Sequence, residues 1–360
     1  MLIDNYIKYK EQKIKGRRIT LESILPLINK IGFNKSVLGY SFLKRPIYKI
    51  TVGTGKIKVL IWSQMHGNEC TGTKSVFDLL NFFAEPLEFK ESSKTILKHC
   101  TLVIIPMLNP DGAEAFTREN AQNIDLNRDA IDLKAPESKL LNTFIHNFKP
   151  NFCFNLHDQR DLFSVGKEHH PATLSFLAPS EDVSRAVTKG RKKTMEIIVA
   201  MNDALKPYIP NQIGRFTDEF YPTATGDNFQ KAGFNTILIE AGHFPLDFDR
   251  EETRKYNFLA LISGLGAIST SIRPNYKSYF EIPINEKKNF EIVLTDVVYK
   301  GVKQQIGLYY EPKWINNTLS FVYNYELIPL NTQLNPKISV SKKLKFNTKD
   351  ELVLYISKLD

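Results

Sequence analysis

The chain of 360 residues has little cysteine and no long apolar run. Its three cysteines, Cys70, Cys100 and Cys153, are odd in number and have no paired spacing, which argues against a disulfide framework and favours a reducing compartment. No stretch reaches the roughly 20 apolar residues of a membrane span, and residues 1–10 lack the basic start and apolar core of a signal peptide. We therefore expect a cytoplasmic protein without a membrane partner.

Internal repeats, low-complexity segments and nucleic-acid motifs are also missing. The formal net charge is +9, but the basic residues are scattered and form no stripe interleaved with aromatic residues. A Lys-rich solvated surface explains this charge, and we expect no nucleic-acid partner. Residues 53–56 lack the spacing of a phosphate-binding loop and predict a hairpin turn. The apolar content of 42% is enough for a sizeable core.

Apolar runs alternate with helical patterns over the first three quarters of the chain. The predicted buried strands are residues 58–65, 102–108, 152–156 and 236–240, and the predicted helices are residues 72–83, 138–148, 184–205 and 250–270. This alternation is typical of an α/β fold. We expect a mixed, mostly buried sheet flanked by helices.

The pattern changes after Arg273. From there to the end, short alternating runs at 290–298, 319–323 and 352–356 are separated by Asn, Pro, Lys and Gly, which predicts strands. We therefore predict two domains, a catalytic one over residues 1–272 and a small β-rich one over residues 273–360. Packing or oligomerisation and substrate gating or recognition are both open as roles of the second domain.

A pair of candidate metal ligands follows the first buried run. His66 and Glu69 form a His-x-x-Glu pair directly after residues 58–62, and His157 closes the apolar run 152–156. Two imidazoles and a carboxylate form a zinc-type set that leaves one position open to water. Open α/β sheets place their chemistry at strand ends, so His157 is the natural third ligand.

Further motifs follow this pair in a fixed order. They are Asn109-Pro-Asp-Gly112, Thr117-Arg-Glu-Asn120, Asp125-Leu-Asn-Arg128, Asn155-Leu-His-Asp158 and Ile237-Leu-Ile-Glu-Ala-Gly242. Taken alone, the third motif indicates a solvated polar turn, and the first is strong turn chemistry to which we assign no catalytic role. In combination, the series resembles the zinc carboxypeptidase family over roughly residues 39–265.

The resemblance implies a metal centre and a catalytic pair. It implies one Zn²⁺ per chain, held by His66, Glu69 and His157, with Glu240 as the general base. It also implies that Arg118 polarises the scissile carbonyl. Amide hydrolysis at neutral pH is consistent with such a set, because bound zinc lowers the pKa of water to about 7 and a neighbouring carboxylate takes up the proton.

The resemblance also implies how the substrate is held. Asn127 and Arg128 grip its terminal carboxylate, and the planar guanidinium fork suits that group. Tyr221 matches a mobile tyrosine that closes over the substrate. Asp125 accepts the other ring N–H of a zinc-bound histidine and fixes the tautomer. Asp227 lies near the position of the specificity residue of the family, where an acid favours a basic side chain.

Three functional classes follow from these residues. The first is a zinc-dependent carboxypeptidase that removes a C-terminal residue from a peptide. The second is an N-acyl amino acid amidohydrolase of the desuccinylase or aspartoacylase type, a group that shares the sequence motifs His-Gly-Asn-Glu and Asp-Leu-Asn-Arg. The third is an inactive metal-binding module, which would not need Glu240. The partner in the first two is a peptide or acyl amino acid with a free carboxylate, whereas the oligomeric state is unknown.

Overall fold

A computed structural model describes residues 2–270, 273–332, 334 and 336–359. The α-helices in these ranges are α1 Tyr6–Tyr9, α2 Leu21–Lys30, α3 Thr71–Ala84, α4 Lys90–His99, α5 Pro110–Ala115, α6 Pro136–Phe148, α7 Lys189–Leu205, α8 Thr225–Lys231, α9 Glu251–Thr270 and α10 Lys349–Ile356. Short 3₁₀ helices span Ile3–Asn5, Leu87–Phe89, Leu126–Arg128 and Tyr276–Glu281. Residues 271 and 272, at the predicted domain boundary, lie outside the described residues.

The strands form three sheets. They are β1 Asn34–Tyr40, β2 Pro46–Val52, β3 Ile57–Ser63, β4 Cys100–Ile105, β5 Phe152–Asp158, β6 Phe163–Val165, β7 His170–Pro171, β8 Leu174–Leu177, β9 Ile213–Arg215, β10 Asn235–Ala241, β11 Glu286–Lys287, β12 Ile292–Tyr299, β13 Val302–Ile315, β14 Thr318–Ile328 and β15 Ile338–Phe346. The large sheet has the order β1-β2-β4-β3-β5-β10-β8-β9. The smaller sheets have the orders β11-β6-β7 and β14-β13-β12-β15.

The large sheet is mixed, as predicted. Its centre, β4-β3-β5-β10, is parallel, whereas β1, β2 and β8 pair antiparallel with their inner neighbours. The central strands are almost continuously apolar and buried, because helices cover both faces. On one face the core includes side chains of α1 to α4, α7 and α9. On the other face it includes side chains of α6 and α8.

The strand order reverses between β3 and β5. The chain passes from β3 outward to β4 on one side, and then returns to β5 and β10 on the other side. The carboxyl ends of two adjacent parallel strands therefore diverge at this point, and this is where open α/β sheets bind ligands. His66 and Glu69 follow β3, and His157 is the penultimate residue of β5.

Some local predictions are wrong. Asn109-Pro-Asp-Gly112 starts helix α5 rather than a turn, since Asn109 caps the helix and Pro110 occupies its first turn. Helix α7 begins at Lys189, not at residue 184, because the Thr188 side chain caps it. Residues 352–356 lie in α10 and not in a strand. There, Leu352 and Ile356 are buried at a spacing of four residues, which fits a helix face.

The connection at residues 53–56 is not a hairpin either. Strand β4 lies between β2 and β3, so the segment crosses the end of β4. Gly53 has φ +80°, and a Cβ on it would lie 2.4 Å from the Cys100 carbonyl oxygen. A Cβ on Gly55 would lie 1.9 Å from His99 backbone carbon. The glycines therefore serve a close backbone crossing.

The C-terminal part is β-rich, as expected, apart from α10. Strands β12 to β15 form the four-stranded sheet, whose core includes side chains of α10. The short strand β11 pairs with β6, which follows the metal-ligand strand β5. The division into two domains at residues 272 and 273 stays a prediction. Among the described residues, no helix is both long enough and apolar enough to cross a membrane.

Candidate active site

A buried glutamine shapes the loop between β3 and α3. Gln64 has φ +50°, and its side chain donates hydrogen bonds to the carbonyl oxygens of Ile19 and Gly67. Its carbonyl oxygen accepts a hydrogen bond from Thr73 of α3. These hydrogen bonds connect Gln64, at the start of the loop, to Gly67 within the loop, to Thr73 after it and to Ile19 of an earlier segment. This arrangement fixes the backbone that carries His66.

The three candidate metal ligands converge. One ligand atom from each of His66, Glu69 and His157 lies within 4.8 Å of the other two. Nδ1 of His66 lies 2.8 Å from Glu69 Oε1, and Nδ1 of His157 lies 2.9 Å from Glu69 Oε2. Both histidines are buried and Glu69 is only partly exposed. The structure thus brings His157 to residues that lie 88 and 91 positions before it in the chain.

Asp125 holds the outer side of His66. Its Oδ1 accepts a hydrogen bond from His66 Nε2 at 3.0 Å, and its Oδ2 accepts one from Arg118 Nε at 2.9 Å. Oδ1 also accepts the backbone N–H of Asn127 at 2.8 Å, which caps the 3₁₀ turn Leu126–Arg128. With Nε2 engaged in this way, Nδ1 is the ring nitrogen that faces the other ligands.

The charges of the site shift its pKa values strongly. Burial alone would lower the pKa of His66, but Glu69 and Asp125 outweigh it and raise that pKa. Burial lowers the pKa of His157. Burial alone would raise the pKa of Glu69, yet the two histidines hold it well below its usual range. Glu69 is therefore a carboxylate at neutral pH, as a metal ligand must be.

Glu240 lies beside this cluster on β10. It is paired in register with His157 of the parallel neighbour β5, so both side chains leave adjacent strands at the same level. Its carboxylate makes no hydrogen bond to any residue in the described part of the chain. Burial, and then the negative charges of Glu69 and Asp158, raise the pKa of Glu240 well above its usual range.

Two of the three predicted substrate-binding residues lie along the same cavity, as does Arg118, which was predicted to be catalytic. Arg118, Asn127 and Arg128 line it together with the metal-ligand candidates and Glu240. Asn127 Oδ1 accepts the backbone N–H of Thr225 at 3.1 Å, so its amide NH₂ stays available as a donor. Tyr221 is 48% exposed and packs against the Arg128 guanidinium, 5.4 Å from the ring centroid, outside the residues that line the cavity.

Part of the chain is similar to a known family of proteins. Residues 33–164 match the model of the family described as "Zinc carboxypeptidase". The "Probable carboxypeptidase 2" of Trichophyton verrucosum is 28% identical over 116 residues, which cover 32% of this chain and 21% of the fungal protein. The match therefore spans about a fifth of the length of that relative.

Solved structures give the fold. The metallo-carboxypeptidase from Burkholderia cenocepacia superposes with a TM-score of 0.57 and 17% identity, over 71% of this chain and 70% of that one. The metallo-carboxypeptidase from Pseudomonas aeruginosa, solved with (2-guanidinoethylmercapto)succinic acid, superposes with a TM-score of 0.55 and 16% identity, over 70% and 69% of the two chains. The resemblance to the zinc carboxypeptidase family is confirmed. The mixed sheet flanked by helices is the fold of these carboxypeptidases.

The ligand set fits the metal of the zinc carboxypeptidases. Two imidazole nitrogens and one carboxylate are the donors of a catalytic zinc centre. In this chain they lie within 4.8 Å of one another, and the carboxylate of Asp125 orients one of them from behind. The residues present therefore fit a zinc ion held by His66, Glu69 and His157.

Asn109 has a positioning role that the sequence analysis missed. Its Oδ1 caps α5, while its Nδ2 donates to the carbonyl oxygens of Met65 and Glu119, both at 3.2 Å. These two residues directly neighbour His66 and Arg118. The backbone of α5 also packs closely against the loop between β3 and α3, called the metal loop below. A Cβ added to Gly67 of this loop would lie only 1.9 Å from the backbone carbon of Gly112 in α5. The family motif was visible, but its contact with the metal loop was not.

Arg250 was also missed. It is 2% exposed and donates to the carbonyl oxygen of Ala241 at 2.6 Å and to that of Gln159. It also pairs with Asp161 at 2.6 Å and Asp158 at 3.4 Å. One guanidinium therefore links the carboxyl ends of β5 and β10, which carry His157 and Glu240. No local sequence signal marks it, since Gln159 and Asp161 lie 91 and 89 positions away in the chain.

Part of the wall of the candidate active-site cavity comes from outside the region of resemblance. The cavity volume is about 560 Å³, and Tyr310, Glu311 and Pro312 of β13 are among the lining residues. A larger cavity of about 830 Å³ lies on the C-terminal sheet, and Arg160 lines both. The C-terminal sheet thus forms part of the site.

Proposed function

We propose that this chain is a zinc-dependent carboxypeptidase that removes a C-terminal residue from a peptide. The convergence of His66, Glu69 and His157 beside Glu240, in a cavity that Asn127 and Arg128 also line, carries this proposal. A metal set, a general base and a carboxylate-binding pair are thereby available to one substrate. Relatives that are named carboxypeptidases support the proposal. The sequence match, however, covers only part of their length.

The chemistry divides between the metal and the side chains. When bound, zinc lowers the pKa of water and polarises a carbonyl group. The Glu240 carboxylate takes the proton from the attacking water and gives it to the leaving amine. Burial and the neighbouring carboxylates raise the pKa of Glu240, which favours its uptake of a proton. Arg118 supplies positive charge to the developing oxyanion.

Arg128 and Asn127 select the substrate end. The Arg128 guanidinium is exposed to the cavity and carries no carboxylate partner among the described residues, so it is available to a substrate carboxylate. The Asn127 NH₂ group lies on the same cavity and is available as a donor, because only its Oδ1 is engaged, as the acceptor of the Thr225 backbone N–H. Tyr221 packs on Arg128, which supports its proposed role of covering a carboxylate bound there. A free C-terminus is therefore required of the substrate.

A substrate panel tests this function. Zinc-loaded protein is incubated with N-blocked dipeptides, their carboxyl-amidated counterparts and N-acyl amino acids, and amino-acid release is measured. We expect release from the dipeptides with a free carboxylate and a loss of at least tenfold in kcat/KM on amidation, because a charge-assisted hydrogen bond is worth about 1.5 to 3 kcal/mol. Release from N-acyl amino acids alone would instead identify an amidohydrolase. No turnover of any substrate would contradict the proposal.

A further inference from the structure

The β13–β14 hairpin contributes part of the wall of the candidate active-site cavity. Residues 310–312 line the cavity, and the residues on either side of them are fixed to the catalytic part of the chain. Before this stretch, Tyr309 Oη accepts a hydrogen bond from Arg160 at 3.0 Å. After it, the Trp314 ring lies 4.4 Å from the guanidinium of Arg18. A strand rises about 3.3 Å per residue, so the five steps between these anchors span roughly 17 Å.

The hairpin is a fixed wall rather than a loose flap. At its base, Tyr309 and Ile328 are buried in a cluster with Leu162, which follows the metal-ligand strand β5, and with Phe290 and Val293 of the C-terminal part. Such a shared apolar core holds the two parts in one position.

The other strand of the hairpin has contacts of its own. The Phe321 ring packs on Phe248 with the centroids 5.9 Å apart. Glu326 of the same strand pairs with Arg160 at 3.1 Å. Both strands of the hairpin are thus attached to the catalytic part, and the cavity is narrowed by a structure that cannot swing away without breaking these contacts.

Glu311 contributes a negative charge to this wall. Its Oε2 accepts a hydrogen bond from Asn324 at 3.0 Å and lies 3.7 Å from Lys313 Nζ, and the side chain is 35% exposed. The neighbouring cation is itself exposed, so it screens the carboxylate only in part. Arg128, which lines the same cavity, supplies the opposite charge.

We infer that the substrates of this site are short peptides with both ends free, whose terminal ammonium group is recognised by Glu311 while Arg128 binds the carboxylate. A cavity of about 560 Å³ falls within the roughly 300 to 1,000 Å³ of sites that enclose a small molecule. A long polypeptide needs an open groove, which the hairpin obstructs. The inference rests on the proposed function and specifies its substrate class.

The carboxylate of Glu311 also disfavours one kind of acyl substrate. A dicarboxylic acyl group would bring a second negative charge into a cavity that already contains Glu311, and like charges at close range are costly. An ammonium group at this position is instead stabilised by the negative charge of Glu311. The wall therefore favours peptides over acyl amino acids of the succinyl type.

The first test compares substrates on the full-length wild-type protein with zinc. Tripeptides with different C-terminal residues are assayed with a free and with an acetylated N-terminus, beside penta- and octapeptides of the same C-terminal sequence. We expect kcat/KM to fall at least tenfold on acetylation and at least tenfold from tripeptide to octapeptide. Equal rates on acetylated peptides and octapeptides would overturn the inference and leave the proposed function intact. No hydrolysis of any peptide would overturn both.

The second test assigns the preference to one side chain. Glu311→Gln should bring the ratio of free to acetylated tripeptide close to one. Glu291→Gln is the matched control, because Glu291, directly before β12, pairs with Lys337, directly before β15, and does not line the cavity. It should keep the wild-type ratio. An unchanged ratio in Glu311→Gln would exclude this residue as the ammonium site.

Discussion

At the scale of single residues, the motifs predicted the candidate site because metal binding and proton transfer can use only a few residue types. His66, Glu69, His157 and Glu240 were predicted from the sequence, and the structure brings all four to one cavity. Their roles stay predictions that experiments must test. Glu311 could not be predicted, because no motif surrounds it and only the folded hairpin brings it to the site.

Glu240→Gln tests the general base. The amide keeps the shape of the side chain but cannot take up a proton, so kcat should fall about 10² to 10⁴-fold, which is the usual contribution of such a group. Metal content should stay that of the wild type, because Glu240 is not among the converging ligands. Both are measured on the same preparation, by steady-state kinetics and elemental analysis.

The control for that variant is Glu219→Gln. Glu219 is exposed in the loop after β9 and does not line the cavity. Its kinetics should match those of the wild type. Near-normal turnover in Glu240→Gln would mean that another group accepts the proton.

At the scale of elements, long periodic segments were predicted well and short ones were not. Helix α9 and the buried strands β3, β5 and β10 were placed within a few residues, because their apolar patterns are long or continuous. Helices α5 and α10 were missed. Each has only one or two turns, and the turn-forming or alternating pattern of a short segment fits more than one structure.

Asn109→Ala tests the coupling between α5 and the metal loop. The change removes a helix cap and leaves the carbonyl oxygens of Met65 and Glu119 without their buried donor. We expect a loss of about 2 to 4 kcal/mol in the free energy of unfolding, from the cap and the buried hydrogen bonds together. Zinc affinity should also fall, since Met65 precedes His66. Denaturant unfolding and a zinc competition titration measure the two effects.

Asn109→Ser separates these two effects. Serine retains an oxygen that caps the helix, but its short side chain has no amide to reach both carbonyl oxygens. It should recover part of the stability and little of the zinc affinity. If both variants bind zinc as tightly as the wild type, Asn109 stabilises α5 without positioning the ligand.

At the scale of the whole molecule, charged groups join distant parts of the chain. Glu251 at the start of α9 pairs with Lys10 near the N-terminus and with Lys74 of α3, both at 2.6 Å, and with Arg254 at 3.1 Å. Lys74 is fully buried and its ammonium otherwise contacts the carbonyl oxygen of Asp249. Such a network depends on the assembled fold, so no local pattern predicted it.

The pH dependence of stability should reveal this network. Burial opposes ionisation, but Lys74 and Lys10 outweigh it and lower the pKa of Glu251 to about 2. The stabilisation should therefore be fully present above the unfolded pKa of about 4.3 and be lost as the pH falls through 2. At pH 7, Glu251→Gln should lose about 1 to 2 kcal/mol, after allowance for solvent screening of a partly exposed group.

Glu252→Gln provides the comparison for Glu251. Glu252 pairs only with Lys255 at the surface of the same helix, among the described residues, so the cost should stay below about 0.5 kcal/mol. Urea unfolding at pH 7 and at pH 3 measures both variants. A Glu251→Gln deficit that is equally large at the two pH values would show that packing, not charge, explains it.

The cytoplasmic location and the two-domain division concern the whole molecule, and both stay predictions. The resemblance ended near residue 265, so the sequence could not relate the C-terminal sheet to the site. In the structure, that sheet shares a buried cluster with the loop after β5 and lines the cavity. The contribution to substrate selection that we propose for this sheet therefore rests on tertiary structure alone.

The most direct test of the account is the metal content of the purified wild type and of His157→Ala. The wild type should bind about one zinc ion per chain, as a catalytic centre of this type does, and the variant should lose it while remaining folded by circular dichroism. Release of amino acids from dipeptides should disappear with the metal. A wild type that binds no zinc after incubation with it, or a variant that binds it undiminished, would contradict the metal centre on which the proposed function depends.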